Sequence, residues 1–460
     1  MALKIHNSLS RSLEEFKPLT DKAVGLYTCG PTVYNYPHIG NYRAYIFGDI
    51  LKRYLEYCGY EVTHVMNITD VDDKTIRDSQ AEGKSLKEFT EFYTKGFFED
   101  RDALNILPAN IYPKATDYIA EMLLLTETLL EKGYAYKESD GSVYFNIQKD
   151  KEYGKLSHFK LDDLKENAKG RLKSDEYDKD NAQDFALWKA WDKADGDVFW
   201  DPQVLLEKET PLSKGRPGWH IECSAMSIDT LGETFDIHTG GVDNIFPHHE
   251  NEIAQSECAT GQMFVKYFMH NEHLLVDGKK MSKSAGNFYT LRDIVEKEFE
   301  PLAFRYWLYM GHYRTKVNFT FEALEGASIA LKKLYQAFYP LISLPTGSIS
   351  PSFKEKFMKS MDNDLNTPQA LAVLWEVVQD QDLSLADKKA TLLDFDTVFG
   401  FGLVDLKEDI IPEEIKIMAQ AREHAREQKE WAKSDELREE IKQLGYEVKD
   451  TESGPVILKL

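Results

Sequence analysis

The chain has 460 residues, of which 42% are hydrophobic and 29% charged, a composition typical of a globular protein with about two to four domains. No apolar run approaches the roughly 18 residues of a membrane span, the N-terminus lacks a signal-peptide core, and the four cysteines are too few for a disulfide framework, so we expect a cytoplasmic protein. The net charge of −22 disfavours binding of nucleic acid on average, but a local basic face could still bind it.

The first regular unit is predicted to be a strand over residues 24–29, a Gly-Pro turn and a helix over 42–58. A helix that begins after such a turn points free backbone N–H groups outward, where they can bind a phosphate. His38 and Asn41 are three residues apart at this helix start, so both side chains could face one anion. The same pattern is also compatible with an ordinary surface turn.

A second strand, residues 61–69, leads to a turn at 70–74, and strand, helix, strand at this spacing predicts a parallel sheet. Residues 1–22 are predicted to be a polar lead-in. Two further helices are predicted at 85–105 and 115–131.

The pattern changes after residue 133. Two short strands, 134–137 and 143–147, flank an Asp-Gly turn and predict a hairpin. Residues 150–213 are strongly charged, with a strand-like patch at 185–188. We interpret this part as an antiparallel or irregular module inserted between two halves of the parallel sheet.

Alternation of strands and helices returns at Gly215 and ends in an exposed loop, DGKKMSKSAGN, over 277–287. Lys280 and Lys283 are three residues apart between two glycines, which suits a mobile clamp on a polyphosphate. A solvated basic surface loop is the alternative interpretation.

The remainder is predicted to be helical, which favours a bundle followed by a long helical stretch and a small hairpin at 446–448 and 456–458. The predicted bundle helices cover 304–310, 321–339, 352–361, 367–379 and 386–399, and the long stretch covers 413–444.

Together, HIGN at 38–41 and KMSKS at 280–284, on either side of a split parallel sheet, resemble the class I aminoacyl-tRNA synthetases. Longer strings narrow the resemblance to the cysteinyl-tRNA synthetase family and cover nearly the whole chain. They are TCGPTVYNYPHIGN (28–41), NITDVDDK (67–74), GRPGWHIECSAM (215–226), FDIHTGGVDNIFPHHENEIAQS (235–256), HYRTKVNFTFEALE (312–325) and WAKSDELREEIKQLGYEVKDTESG (431–454).

The resemblance implies an α/β fold: a Rossmann-like parallel-sheet catalytic domain split by an insertion, then an α-helical bundle and a small C-terminal α+β end. The expected divisions are the first catalytic half (1–112), the inserted segment (113–214), the second catalytic half (215–275), the KMSKS loop and stem-contact region (276–320), the helical tRNA-binding bundle (321–405) and the anticodon-recognition end (406–460).

The resemblance also implies ATP-dependent attachment of L-cysteine to tRNA(Cys) through a cysteinyl-adenylate. The implied catalytic residues are His38, Asn41, Lys280 and Lys283; the implied ATP-binding residues are Thr32, Gly40, Gly241, Asp243 and Lys283, with Mg²⁺ on the phosphates. Asn41 stands where the family often has His, and its amide can donate but cannot be cationic. The string Asp70, Asp72, Asp73, Lys74 has no assigned role.

The family's zinc ligands correspond to Cys29, Cys223, His248 and Glu252, donor types that suit zinc. His248 and Glu252 share a helix face at i and i+4, with His249 as the rival ligand. All four cysteines could instead be small buried hydrophobes, and this is the interpretation that we adopt for Cys58 and Cys258.

Trp219 and His238 are the implied cysteine-binding residues, although each could simply be packed core. Because a thiolate binds zinc far better than a hydroxyl does, such a site would reject serine without an editing domain.

For the RNA partner, five cations of the C-terminal stretch are candidate phosphate contacts, although a salt-bridged solvated helix is equally compatible: Arg422, Arg426, Lys429, Lys433 and Arg438. We expect a monomer. Two alternatives remain, a mycothiol-type cysteine ligase and a non-catalytic synthetase relative that binds RNA or senses cysteine. The family-like tail disfavours the first, and the intact lysines and zinc ligands disfavour the second.

Overall fold

The structure is a computed structural model that describes residues 2–158, 184–281, 286–407, 412–451 and 454–459. The strands are β1 (Lys4–Asn7), β2 (Ser12–Glu15), β3 (Ala23–Thr28), β4 (Glu61–Met66), β5 (Ala135–Lys137), β6 (Val143–Phe145), β7 (Phe185–Ala190), β8 (Gly215–Pro217), β9 (Phe235–Gly241), β10 (Val265–Asn271), β11 (Leu274–Val276), β12 (Lys279–Lys280), β13 (Val317–Phe319), β14 (Tyr446–Thr451) and β15 (Gly454–Lys459).

The α-helices alternate with the strands in the first part of the chain and dominate after residue 290. They are α1 (Ile39–Tyr57), α2 (Asp73–Ala81), α3 (Leu86–Ala103), α4 (Ile119–Glu131), α5 (Pro202–Leu206), α6 (Trp219–Leu231), α7 (Glu250–Thr260), α8 (Leu291–Glu296), α9 (Pro301–Tyr309), α10 (Phe321–Phe338), α11 (Pro351–Met361), α12 (Thr367–Gln379), α13 (Leu385–Phe399), α14 (Glu413–Glu427) and α15 (Trp431–Gln443). Within the described ranges, none of them combines the length and the apolar character needed to cross a bilayer.

A four-stranded parallel sheet forms the centre of the molecule, in the order β10-β9-β3-β4. Helix α1 connects β3 to β4, which confirms the predicted βαβ unit. The strands are rich in buried apolar residues because helices cover the sheet, as parallel sheets require. The α/β fold class is therefore confirmed.

The inserted module is an antiparallel sheet in the order β5-β6-β7-β8. The expectation that residue 215 resumes the parallel sheet is wrong, because β8 pairs with β7 instead. As the edge strand of that sheet, β8 can accommodate Pro217, which has no N–H to donate. Alternation of helix and parallel strand resumes with α6 and β9.

The polar lead-in is also not irregular. Strands β1 and β2 form a hairpin, and Lys4 N donates to Asp362 O at 2.9 Å, so the hairpin contacts the helical part. The strands are too short for a period-2 signal to stand out. The predicted turn at 70–74 continues into α2, whose N-cap Asp72 forms a capping box with Thr75, a local signal that could have predicted the helix.

The C-terminal part is confirmed as a helical bundle, formed by α9 to α13, and a small terminal unit. The predicted stretch 413–444 divides into α14 and α15, with Lys429 in the left-handed region (φ 59°) between them. Strands β14 and β15 form the predicted hairpin. This unit has its own small core, made by Ile415, Ala419, Ile441 and Val448.

Candidate active site and metal centre

A cleft of about 370 Å³ opens where the parallel strands end. The turn after β3, the start of α1, the end of β9 and the start of α6 all contribute to its walls. The carboxyl ends of parallel strands are the usual ligand site of open α/β sheets. Position alone therefore makes this cleft the candidate active site.

His38 and Asn41 meet at the N-terminus of α1, but they bond to each other's backbone. Asn41 N donates to His38 Nδ1 at 3.1 Å, and His38 N donates to Asn41 Oδ1 at 3.1 Å, which forms a capping box. Burial lowers the pKa of His38 to about 4. His38 is thus neutral near pH 7, and because Nδ1 accepts a hydrogen bond, the ring proton is on Nε2.

The segment around the KMSKS string packs on this helix start. Ile39 N donates to Tyr289 O at 2.9 Å, and a Cβ at Gly40 would lie 2.7 Å from Met281 Cε, so glycine permits the close approach. Lys280 lines the cleft with an exposed side chain. Lys283, predicted to be catalytic, lies outside the described residues.

The other predicted ATP residues also line the cleft, namely Thr32, Gly40, Gly241 and Asp243. A Cβ at Gly241 would lie 2.4 Å from Asp243 Oδ1, so a side chain at residue 241 would collide with this carboxylate. Glycine and carboxylate are thus adjacent at the end of β9, an arrangement suited to a ribose.

The four predicted metal ligands come together. One donor atom each of Cys29, Cys223, His248 and Glu252 lies within 4.8 Å of every other. His248 belongs to the helical turn Ile245–His249 that leads into α7, and its Nε2 lies 3.0 Å from Glu252 Oε1. The predicted proximity of His248 and Glu252 is therefore confirmed. Cys29, which follows β3, and Cys223, which lies in α6, also come together.

The chemistry of this donor set fits a metal ion. Glu252 is fully buried, and its Oε1 forms no hydrogen bond with any described residue although His248 Nε2 lies 3.0 Å away. Interaction with the Cys29 thiol, and then burial, raise the pKa of the Cys223 thiol well above its ordinary value. Buried thiols beside a buried carboxylate gain most from a divalent cation, which replaces their protons.

A second group of possible donors lies deeper, formed by Cys29, His238, His249 and Glu252. His238 Nε2 lies 2.9 Å from Glu252 Oε2, and His249 Nε2 lies 3.3 Å from Cys29 Sγ. Neither histidine lines the cleft. His238, predicted to contact the substrate, instead lies behind Glu252 and is fully buried.

Trp219 forms the wall next to the metal donors. Its ring stacks on His248 with the centroids 4.2 Å apart and the planes at 16°. Its buried indole N–H has no partner within the part of the chain that the structure describes. Trp219 therefore offers the cleft both an apolar face and a donor.

The sequence did not predict that two further histidines lie next to the metal donors or that one further lysine lines the cleft. His220 Nδ1 and His248 Nδ1 share a hydrogen bond of 2.9 Å, and His249 Nδ1 and His270 Nε2 one of 2.8 Å. His220 was visible beside Trp219 in the family-like string, whereas nothing local distinguishes His270. Lys74 also lines the cleft.

Among the candidate RNA contacts, the prediction for Arg422 is wrong. Its side chain is 4% exposed and therefore cannot bind a phosphate at the surface. Arg426 is half-buried and pairs with Glu423 at 3.4 Å. Lys429, Lys433 and Arg438 are exposed.

Family models match three parts of the chain. Residues 15–329 match the tRNA synthetases class I (C) catalytic domain, residues 356–401 the DALR domain, and residues 411–454 the cysteinyl-tRNA ligase anticodon binding domain.

Full-length relatives give the same result. The chain is 45% identical over 475 residues to the cysteine--tRNA ligase of Protochlamydia amoebophila (99% of this chain, 98% of the relative). It is 46% identical over 488 residues to that of Chlamydia muridarum (100% of each).

Solved structures share the fold at low sequence identity. Methionyl-tRNA synthetase of Mycobacterium tuberculosis, with methionyl-adenylate, aligns at a TM-score of 0.57 and 15% identity over 84% of this chain and 91% of that one. A LeuRS of Agrobacterium radiobacter, in a ternary complex with tRNA, aligns at 0.61 and 11% over 85% of each.

Proposed function

The chain belongs to the cysteine branch of the class I tRNA synthetases, and from this premise we propose that it attaches L-cysteine to tRNA(Cys) through a cysteinyl-adenylate, with zinc selecting the substrate thiol. It is an aminoacyl-tRNA synthetase, a cysteine--tRNA ligase. One observation carries the proposal. Three metal donors line the same cleft as three candidate catalytic residues: Cys29, Cys223 and His248 with His38, Asn41 and Lys280.

For the metal we favour Cys29, Cys223, His248 and Glu252 over the deeper group. Cys223 and His248 line the cleft, where a substrate can arrive, whereas His238 and His249 do not. The last two would orient the ligands by hydrogen bonding from behind. A zinc ion held by these four residues would act as a Lewis acid and favour the thiolate form of the substrate's thiol.

The amino acid is then enclosed by this chain's own groups. Trp219 would cover the apolar side of the substrate, and its unpartnered N–H could donate to the carboxylate or to bound water. His238 would act indirectly, since its Nε2 holds Glu252. Serine has the same shape but no thiol, so discrimination depends on the metal and not on pocket size.

In the first step, a carboxylate oxygen of cysteine attacks the α-phosphorus of ATP, and pyrophosphate leaves with the electron pair of the broken P–O bond. Neutral His38 would donate its Nε2–H to the phosphates, and Lys280 and Lys283 would neutralise the charge that develops there, together with Mg²⁺. The backbone N–H of Asn41 holds His38 in the required tautomer. Asp243 would accept from the ribose hydroxyls beside Gly241.

In the second step, a hydroxyl of the 3′-terminal adenosine attacks the acyl carbon, and AMP leaves. No protein nucleophile is required, so catalysis is positioning and charge stabilisation. The match of residues 411–454 to an anticodon binding domain supports tRNA as the acceptor and disfavours an amino-sugar acceptor. Lys429, Lys433 and Arg438 remain candidate phosphate contacts, and the monomeric state and cytoplasmic location remain predictions.

The decisive experiment is a charging assay with cysteine, ATP and total tRNA, run in parallel with a glucosaminyl-inositol acceptor. Cysteine-dependent ATP–pyrophosphate exchange and cysteinylated tRNA are expected, together with about one zinc per chain by metal analysis. Transfer to the amino sugar would establish the mycothiol-type alternative. Binding of RNA or cysteine without exchange would establish a non-catalytic relative.

A further inference from the structure

We propose that Lys74 binds a backbone phosphate of the single-stranded 3′ end of tRNA and positions that end for acyl transfer. The inference rests on the proposed function and deepens it, since it assigns a binding residue for the second substrate. It also gives a role to the one family-like string, residues 70–74, that sequence analysis left without one.

Lys74 is a cation in the wall of the cleft. Of the arginines and lysines in the described ranges, only Lys74 and Lys280 line this cleft. The Lys74 ammonium lies 5.3 Å from the centroid of the Tyr34 ring and forms no ion pair with any described residue. The charge of Asp72 acts on this ammonium without a direct ion pair. In a chain with a net charge of −22, a half-buried ammonium that faces a cleft is therefore available for an anionic ligand.

The position of Lys74 separates it from the ATP residues. In the sheet order β10-β9-β3-β4, Lys74 follows the edge strand β4, whereas Lys280 follows β10 at the opposite edge. His38 follows β3 and Gly241 ends β9, so most of the candidate ATP set lies on the β3–β10 side of the cleft. Thr32 lies between the two sides, because it forms a bridge with Thr69 after β4. A triphosphate on the β3–β10 side leaves the β4 side to a different anion.

In this proposal the second substrate approaches from the side of β4. Its 3′-terminal hydroxyl has to reach the acyl carbon of a cysteine held next to Trp219 and Cys223, while its phosphates avoid the triphosphate site. Single-stranded RNA ends bind through their phosphates to lysine and arginine. Lys74 is the described cation that meets this requirement.

The backbone beneath Lys74 is fixed. Asp73, its neighbour in the chain, accepts hydrogen bonds from Arg216 and, at 3.1 Å, from Lys189 Nζ. These two cations belong to the inserted sheet, and Arg216 lies just before Trp219 in the chain. The capping box of Asp72 orders the same turn. The backbone of Lys74 is therefore fixed relative to Trp219 in the wall of the cleft, as a positioning residue requires.

The test uses the full-length enzyme and Lys74→Ala. Cysteine-dependent ATP–pyrophosphate exchange reports the first step, and single-turnover transfer from preformed enzyme-bound cysteinyl-adenylate to purified tRNA(Cys) reports the second. Transfer should fall about 10-fold relative to exchange, as expected for the loss of a charged hydrogen bond. The log–log salt slope of tRNA binding should become shallower by about 0.7, the value for one single-strand phosphate. Lys74→Arg should restore both.

Lys84→Ala is the matched control, because Lys84 also lies over an aromatic ring, Phe92 at 5.5 Å, but outside the cleft. It should leave both steps unchanged. If Lys74→Ala unfolds, Lys74→Gln provides the same comparison with a side chain of similar length.

Equal loss of exchange and transfer would overturn the inference, because Lys74 would then serve the adenylate step. An unchanged variant, or an unchanged salt slope, would also overturn it. A wild-type enzyme that fails to charge tRNA would instead remove the proposed function itself, so the two failures can be told apart.

Discussion

The two ends of the cleft are built in opposite ways. At the cysteine end, the donors Cys223, His248 and Glu252 lie on or next to α6 and α7, and each is nearly or fully buried and held by neighbouring side chains. At the phosphate end, Lys280 is exposed on a strand of two residues, and Asn287 Nδ2 donates to its carbonyl at 3.1 Å.

The difference matches the two tasks that we propose for the cleft. Choosing a thiol over a hydroxyl needs donors that cannot adapt to the wrong ligand, and burial in packed helices provides that rigidity. A polyphosphate has to enter, react and leave as pyrophosphate, which favours cations on exposed chain segments. Substitutions at the two ends should therefore affect different properties of the enzyme.

The largest effect is expected from Cys223→Ser, which replaces a metal-binding thiolate with a hydroxyl. Bound zinc should be lost, and cysteine-dependent exchange should fall about 10⁴-fold, the scale on which a site built on one specific bond discriminates. Metal analysis and the exchange rate check this. Cys258→Ser is the control, because Cys258 lies outside the donor group. Retained zinc and activity in Cys223→Ser would disprove the ligand set.

The second largest effect is expected from Lys283→Ala, which should lower adenylate formation about 10²- to 10³-fold. The variant lacks one of the positive charges that we propose to stabilise the negative charge developing on the phosphates. Cysteine binding should change little, since the metal end is untouched. Exchange kinetics and equilibrium binding of cysteine separate the two. Lys279→Ala serves as the control because Lys279 is exposed and does not line the cleft. Unchanged exchange in Lys283→Ala would refute the assigned role.

A buried histidine of the central sheet predicts how the stability of the protein depends on pH. Burial, and then Lys52, lower the pKa of His64 in β4 to about 3. Below about pH 6.5 the unfolded chain binds a proton at His64 that the folded chain does not, so stability falls as the pH drops from 6.5 toward 3. Below that pH, His64 should lower the free energy of unfolding by about 1.4 kcal/mol for each pH unit.

His64→Gln should reduce the slope by that amount between pH 6 and 5 and leave it unchanged above pH 7.5. Denaturant unfolding at several pH values measures the slope. The same slope in both proteins would mean that His64 titrates normally in the folded state.

The smallest effect is expected from Asn41→Ala, which removes the side-chain oxygen that accepts from His38 N but keeps the backbone N–H that donates to His38 Nδ1. Exchange should fall about 5-fold, equivalent to about 1 kcal/mol for a lost cap. Asn41→His should recover most of it, because imidazole can accept from His38 N and still donate to a phosphate. Full activity in Asn41→Ala would show that the cap does not position His38.

Most of the regular elements could be predicted from local patterns. The βαβ unit, the hairpin at 134–147 and the bundle helices follow from apolar spacing and turn residues, which reflect hydrogen bonds between near neighbours. The hairpin at the N-terminus and the pairing of β8 with β7 could not be predicted. Their strands have only three to six residues, too few for an alternation of apolar and polar residues to be recognised.

For the site, sequence strings were enough to identify the family and its candidate residues, since these depend only on residue type and spacing. Long-range packing decided the rest: that the Cys29 and Cys223 thiols converge over β3 and α6, that His238 lies behind Glu252 and not in the cleft, and that Lys74 lines it. Such approaches depend on how distant elements pack in three dimensions, and no spacing along the chain encodes that distance.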